Sequence, residues 1–135
     1  MAPDGGATRH QSRERALSLL YEAQMKGEGP EVIVAALAVA PDAYCLHVVQ
    51  AVVAHADEVD RLLAGATIGW PPERMAVVDR IIMKIATAEL LDPEGPPTAV
   101  ILDEAVELAK EYSTDDSGRF VNGVLSTVAG VVAAR

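Results

Sequence analysis

Aromatic side chains are scarce in this chain: one Phe, one Trp and three Tyr among 135 residues. Nucleic-acid binders built on stacking platforms usually carry more. Cysteine is nearly absent as well. Cys45 stands alone, so no internal disulfide can form, which fits a reducing compartment. Positive charge is in short supply, with 11 Lys and Arg against 20 Asp and Glu and a formal net charge of −9. That balance argues against broad, nonspecific phosphate binding. No apolar run is long enough to span a bilayer, and the first residues lack a signal-peptide core. The expectation is a cytoplasmic protein with no membrane partner. Cys45-x-His47 has no second half at a metal-ligand spacing, so no metal is expected. No glycine-rich loop follows a strand, so no nucleotide cofactor is expected. Acidic pairs such as Asp103 and Glu107 fall on a solvated helix face, where nothing shields a general acid or base. Enzyme activity is not expected.

What is present is helical patterning. Half of the residues are hydrophobic, with alanine and valine dominant, enough for one domain with one core. Residues 1–7 are small and Gly-rich and read as a disordered tail. The remainder, 8–135, reads as a single all-α domain. A first helix is expected from Thr8 to Lys26, stopped by Gly27, with Ala16, Leu17, Leu20 and Tyr21 inward. Arg9 and Arg13 fall on that same face, so the first turns are expected to overhang the body with their charges in water. Pro30 starts a short helix. From Tyr44 to Leu63 the apolar residues Leu46, Val49, Val53 and Ala56 recur at helical spacing, as one long helix or two. After a break around Gly69-Trp70-Pro71-Pro72, Met75 to Leu91 is apolar almost all round and reads as the central helix. A Pro/Gly loop leads to a helix with Ile101, Leu102, Ala105, Leu108, Ala109 and Tyr112 inward. Ser113-x-x-Asp116 reads as a capping box for the last helix, which buries Phe120, Val121, Val124, Leu125 and Val128. Gly123 is expected to admit a close helix neighbour.

Several strings in this frame resemble the NusB family of bacterial transcription antitermination factors. They are Arg13-Glu14-x-Ala16 with Leu20-Tyr21, then Val78-Asp79-Arg80-Ile81-Ile82-Met83-Lys84-Ile85-Ala86. Asp103-Glu104-Ala105, Glu107-Leu108-Ala109-Lys110 and Phe120-Val121-Asn122-Gly123-Val124-Leu125 follow in order. The resemblance lapses over residues 27–68 and covers about two-thirds of the chain. It implies two small helical bundles packed together, about six or seven helices in all. It also implies a partner, the ribosomal protein NusE, and capture of boxA-type RNA by the pair. The outcome is read-through by the RNA polymerase elongation complex, with other Nus factors, notably in ribosomal RNA operons. Such proteins are monomers or homodimers.

The site residues that the resemblance carries over are specific. Arg9, His10 and Arg13 match the family's arginine-rich start, in thinner form, with Gln11 between them. Arg80 and Lys84, spaced i to i+4, match positions on the central helix, and Arg119 with Phe120 matches a basic-aromatic pair beside the RNA. Asp116 matches an acidic position that tunes affinity by repelling phosphate. Tyr21 and Asp79 match positions facing NusE. An alternative stays open: a protein-interaction or dimeric regulatory module on the same fold, with weak or no RNA binding, consistent with the thin basic tract. A similar domain precedes the catalytic domain of some ribosomal RNA cytosine methyltransferases, but no cofactor-binding α/β domain is expected in 135 residues.

Overall fold

A computed structural model describes residues 6–135, and most of the tail expected at 1–7 lies outside them. Among the described residues there are seven α-helices and no strand. They are α1 (Arg9–Lys26), α2 (Pro30–Ala35), α3 (Ala43–Ala54), α4 (Ala56–Ala66), α5 (Val77–Leu91), α6 (Thr98–Tyr112) and α7 (Asp115–Ala133), with a 3-10 turn at Pro72–Arg74 between α4 and α5.

The ends of α1 follow from local chemistry. The Thr8 hydroxyl accepts from the Gln11 backbone N–H, and the Gln11 side chain accepts from the Thr8 N–H in return. This reciprocal cap satisfies two otherwise orphaned donors. Gln11, which stands between His10 and Arg13 in the tract matched to the family's arginine-rich start, is engaged in it. At the other end Gly27 takes the left-handed conformation (φ 65°), as a side chain there would resist. The stretch from Tyr44 to Leu63 is two helices. They meet at His55, whose backbone (φ −106°, ψ 20°) leaves the helical region. Asp57 and Glu58 then sit in the first turn of α4, where carboxylates complement the helix dipole.

The buried face of α3 is Cys45, Val48, Val49 and Val52, while Val53 and Ala56 are exposed. The expected stripe was therefore rotated by about one residue, with only Val49 shared. Tyr21 and Tyr112, expected inward, are both exposed. The last helix is capped by Thr114, not Ser113, because Ser113 (φ −133°, ψ −117°) already belongs to the turn that ends α6. Ser113 instead exchanges a hydroxyl hydrogen bond with Ser117.

The helices form two small bundles on a shared axis. Helices α1, α2 and α3 pack on one another, as do α4, α6 and α7 through the α4–α7 and α6–α7 contacts. Helix α5 touches α1, α3, α4, α6 and α7. Its all-round apolar character, with Ile81, Ile82, Met83, Ile85, Ala86 and Ala88 buried, is what that central position requires. The close approach in the second bundle falls at Gly118. A Cβ there would lie 3.3 Å from Lys110 Cγ and 3.5 Å from Val106 Cγ1 on α6. Gly123, expected to play this part, faces open space.

Candidate nucleic-acid interface

The start of α1 does not overhang the body. Arg13 is only 3 % exposed, and it reaches Glu89 on α5 through two charge-assisted hydrogen bonds, Nε to Oε1 at 2.8 Å and Nη2 to Oε2 at 2.9 Å. The Tyr44 hydroxyl of α3 donates to the same Glu89 Oε2 at 2.9 Å. A buried guanidinium needs this degree of pairing to remain charged inside a protein. Burial opposes the charge on Arg13, but the hydrogen bonds and charge of Glu89 outweigh it and hold the pKa above its ordinary value. Burial, and then Glu89, push the Tyr44 phenol up to about 12, so it remains a donor. Arg13 therefore joins α1 to α5 and presents no free cation to a phosphate. The expectation of an exposed Arg9–Arg13 pair is corrected on this point.

His10 is likewise engaged. Its Nδ1 lies 2.8 Å from Glu104 and its Nε2 lies 3.1 Å from Glu111, both on α6, with Glu14 at 3.8 Å. The hydrogen bond to Glu104, against a smaller opposing effect of burial, raises the His10 pKa. Among the described residues, His10, Glu14 and Glu111 are a group whose potential metal-binding atoms approach within 4.8 Å of one another. A proton on His10 balances part of that charge, so the cluster reads as an ion-pair node between α1 and α6. Arg9 is the residue of this tract that faces outward. It is exposed, with its guanidinium carbon 3.9 Å from the centroid of the Tyr44 ring. A cation on an aromatic face is pre-oriented yet keeps its hydrogen-bond donors available.

The remaining basic candidates gather elsewhere. Arg80 and Lys84 both line a cleft of about 380 Å³ between α4 and α5, with Leu63, Thr67, Met75 and Met83. Lys84 lies 4.0 Å from Asp60. The Arg80 Nε is buried with no hydrogen-bond partner. Arg119 is 86 % exposed and pairs weakly with Asp116 at 3.4 Å; Asp116 is itself fully at the surface. Phe120 is half-buried and its ring centroid lies 5.7 Å from that of Trp70. Arg80 and Glu89 are about 14 Å apart along α5 at 1.5 Å per residue. Arg9 lies against Tyr44 of α3, whereas Arg80 and Lys84 line the α4–α5 cleft, so the two groups sit in separate places.

The two positions carried over as partner-facing behave differently. Tyr21 is exposed and lines a cleft of about 350 Å³ with Glu14, Leu17, Ser18, Val78 and Tyr112. Asp79 is only 5 % exposed and accepts a 2.8 Å hydrogen bond from Ser117 Oγ on α7, while its Oδ1 is buried without a partner. Asp79 thus braces α5 against α7 instead of facing outward, a second correction. Cys45 is fully buried, and burial pushes its thiol pKa up to about 11, so it is an unreactive core residue far from any thiolate role. Sequence reasoning passed over Trp70. Its one signal was an apolar aromatic set in a Gly-Trp-Pro-Pro turn, where a buried side chain is not expected.

Fold and site together define a small all-α protein of two bundles sharing one helix, with cationic and aromatic side chains at two separate places on its surface. The NusB family profile matches residues 10–130. Transcription antitermination protein NusB of Saccharopolyspora erythraea is 41 % identical over 129 residues, covering 91 % of this chain and 87 % of that protein. The structure of T. maritima NusB superposes with a TM-score of 0.81 at 30 % identity, covering 92 % of both chains. A structure of the antitermination factors NusB and NusE in complex with dsRNA matches with a TM-score of 0.76 at 26 % identity, covering 91 % of this chain and 96 % of that one. The chain belongs to the NusB family.

Proposed function

We propose that this chain is a transcription antitermination factor that binds boxA-type RNA together with NusE and promotes read-through by RNA polymerase, notably in ribosomal RNA operons. The observation that carries this reading is the 41 % identity, over nearly the whole chain, to a protein named for antitermination. The match to a NusB–NusE–dsRNA structure supports the choice of partners. Contact with the elongation complex would run through other Nus factors, in the cytoplasm where transcripts emerge, and no step of it calls for catalysis. Arg9, Arg80, Lys84 and Arg119 are the side chains we assign to phosphate, with Phe120 following Arg119 on α7 and Asp116 moderating the charge of Arg119. Tyr21, in its open cleft, is the residue offered to NusE.

The test is titration of the purified chain with boxA-type RNA, with NusE, and with both. Cooperative ternary assembly is the expected result. Absence of binding to either, even at low salt, defeats the assignment while leaving the fold intact.

A second reading has a specific observation behind it. With Arg13 withdrawn into the interior, the basic end of α1 is thinner than its sequence implied, on a chain of net charge −9. A protein-binding or dimeric module that has lost RNA affinity would look like this. A dimer that persists on dilution in light scattering and ignores RNA favours it.

A further inference from the structure

We infer that Trp70 is a stacking platform for one unpaired RNA base, set at the end of a phosphate-binding cleft along the α4–α5 seam. This rests on the RNA-binding function proposed above and adds a residue and a place to it.

The turn that carries Trp70 is fixed by its own backbone. Gly69 adopts φ 83°, the Trp70 N–H donates to Thr67 O at 2.9 Å, and Pro71 and Pro72 stiffen the backbone beyond it. The indole is nevertheless 49 % exposed. It leans on Phe120 at a 44° tilt, and Phe120 in turn packs against the core, so the indole has a firm support. The indole therefore presents a held, half-open aromatic face whose apolar area is available to a ligand. Beside it lies a cleft of about 330 Å³ walled by Ala64, Thr67 and Pro71.

The neighbouring cleft carries two cations, Arg80 and Lys84, and one carboxylate, Asp60, which lies 4.0 Å from Lys84 and leaves a net positive lining. Ala64 and Thr67 also wall the Arg80–Lys84 cleft, so the two depressions adjoin. The Arg80 Nε is buried without an acceptor in the protein, and Arg80 as a residue lines the cleft, so its guanidinium is not spent on an internal carboxylate as that of Arg13 is. An aromatic face adjoining guanidinium and ammonium groups suits a single-stranded nucleotide: base on the indole, phosphate in the cleft.

Trp70 is the only tryptophan, so its fluorescence reports on this site directly. The experiment titrates the full chain, with NusE present, with an end-labelled boxA-type RNA, following anisotropy and tryptophan emission together. The expected result is saturable quenching with the same midpoint as the anisotropy. Trp70→Ala should weaken binding about fivefold to 100-fold, and Trp70→Phe should restore most of it. Replacing one base of the RNA by an abasic site should abolish the quench. Circular dichroism melts check that each variant is folded, and the emission titration of the unaltered chain stands without them. If RNA binds by anisotropy while emission is unchanged and Trp70→Ala binds within twofold, the platform is wrong and the RNA-binding function survives. If NusE alone changes the emission and RNA adds nothing, the face belongs to the protein partner and the inference fails. If no RNA binds under any condition, the proposed function itself has failed, and the platform with it.

Discussion

Arg13 and Glu89, 76 residues apart in sequence, form a two-pronged ion pair inside the protein, each with under a tenth of its surface exposed. A buried pair of this kind does not by itself make a protein more stable than well-packed apolar residues would. Removing one member, however, strands the other as an unpaired internal charge.

Arg13→Ala or Glu89→Ala should therefore lower the unfolding free energy by about 3–5 kcal/mol. Urea denaturation measures this directly, and a loss below about 1 kcal/mol would show that the pair is not closed in solution. The corollary concerns binding assays. Charge reversal at Arg13, an obvious probe of an RNA contact, would report on folding, so any loss of RNA affinity in that variant says nothing about phosphate.

Arg9 is where the charge test belongs. Its guanidinium is exposed on the Tyr44 ring and has no buried carboxylate to abandon. Arg9→Ala should leave the thermal midpoint within a degree or two and weaken RNA capture. It should also lower the slope of log affinity against log salt by about 0.7, the contribution of one single-strand phosphate contact. An unchanged slope would remove Arg9 from the interface.

His10 makes the attachment of α1 to α6 depend on pH. Its pKa in the folded chain is raised above the ordinary 6.5, chiefly by the hydrogen bond to Glu104, with burial opposing. A raised cationic pKa stabilises the fold fully below the unfolded value and loses that contribution as pH climbs through the folded one. The stability gap between the natural chain and His10→Ala should thus be widest below pH 6.5 and close progressively above it. Unfolding curves at a series of pH values test this, and a gap that widened toward alkaline pH would contradict the charge pairing.

Gly118 and Gly123 give opposite expectations on one helix. A side chain at Gly118 meets Lys110 and Val106, so Gly118→Val should push α7 from α6 and cost about 1–3 kcal/mol. At Gly123 a Cβ meets nothing within 4 Å, so Gly123→Ala should stabilise by up to about 1 kcal/mol through helix propensity and a less flexible unfolded chain. Melting both variants side by side checks which glycine is the contact.

The difference between what sequence revealed and what it hid has a physical pattern. Helix ends depend on neighbours a few residues away. The Gly27 stop and the Pro30 start could therefore be read from the chain, as could the central place of the apolar segment that became α5, while the Thr8–Gln11 cap went unread, with Thr8 expected as the first helical residue. Exposure of a charged or aromatic side chain depends on partners from distant segments. Arg13 looked free because Glu89 is on another helix, and Asp79 looked available because Ser117 belongs to α7. Trp70 drew no attention until Phe120 came beneath it. The split between Arg9 and the Arg80–Lys84 cleft was hidden for the same reason: a list of cations carries no distances.

Helix α5 serves as a wall common to both bundles. Neither half has a complete interior of its own, so neither can loosen, drift in composition or be grafted elsewhere without disturbing its neighbour. Evolutionary freedom in such an arrangement is pushed outward, to the solvent-facing sides of the flanking helices and the turns between them, which is where new recognition chemistry can be tried at least risk to the scaffold.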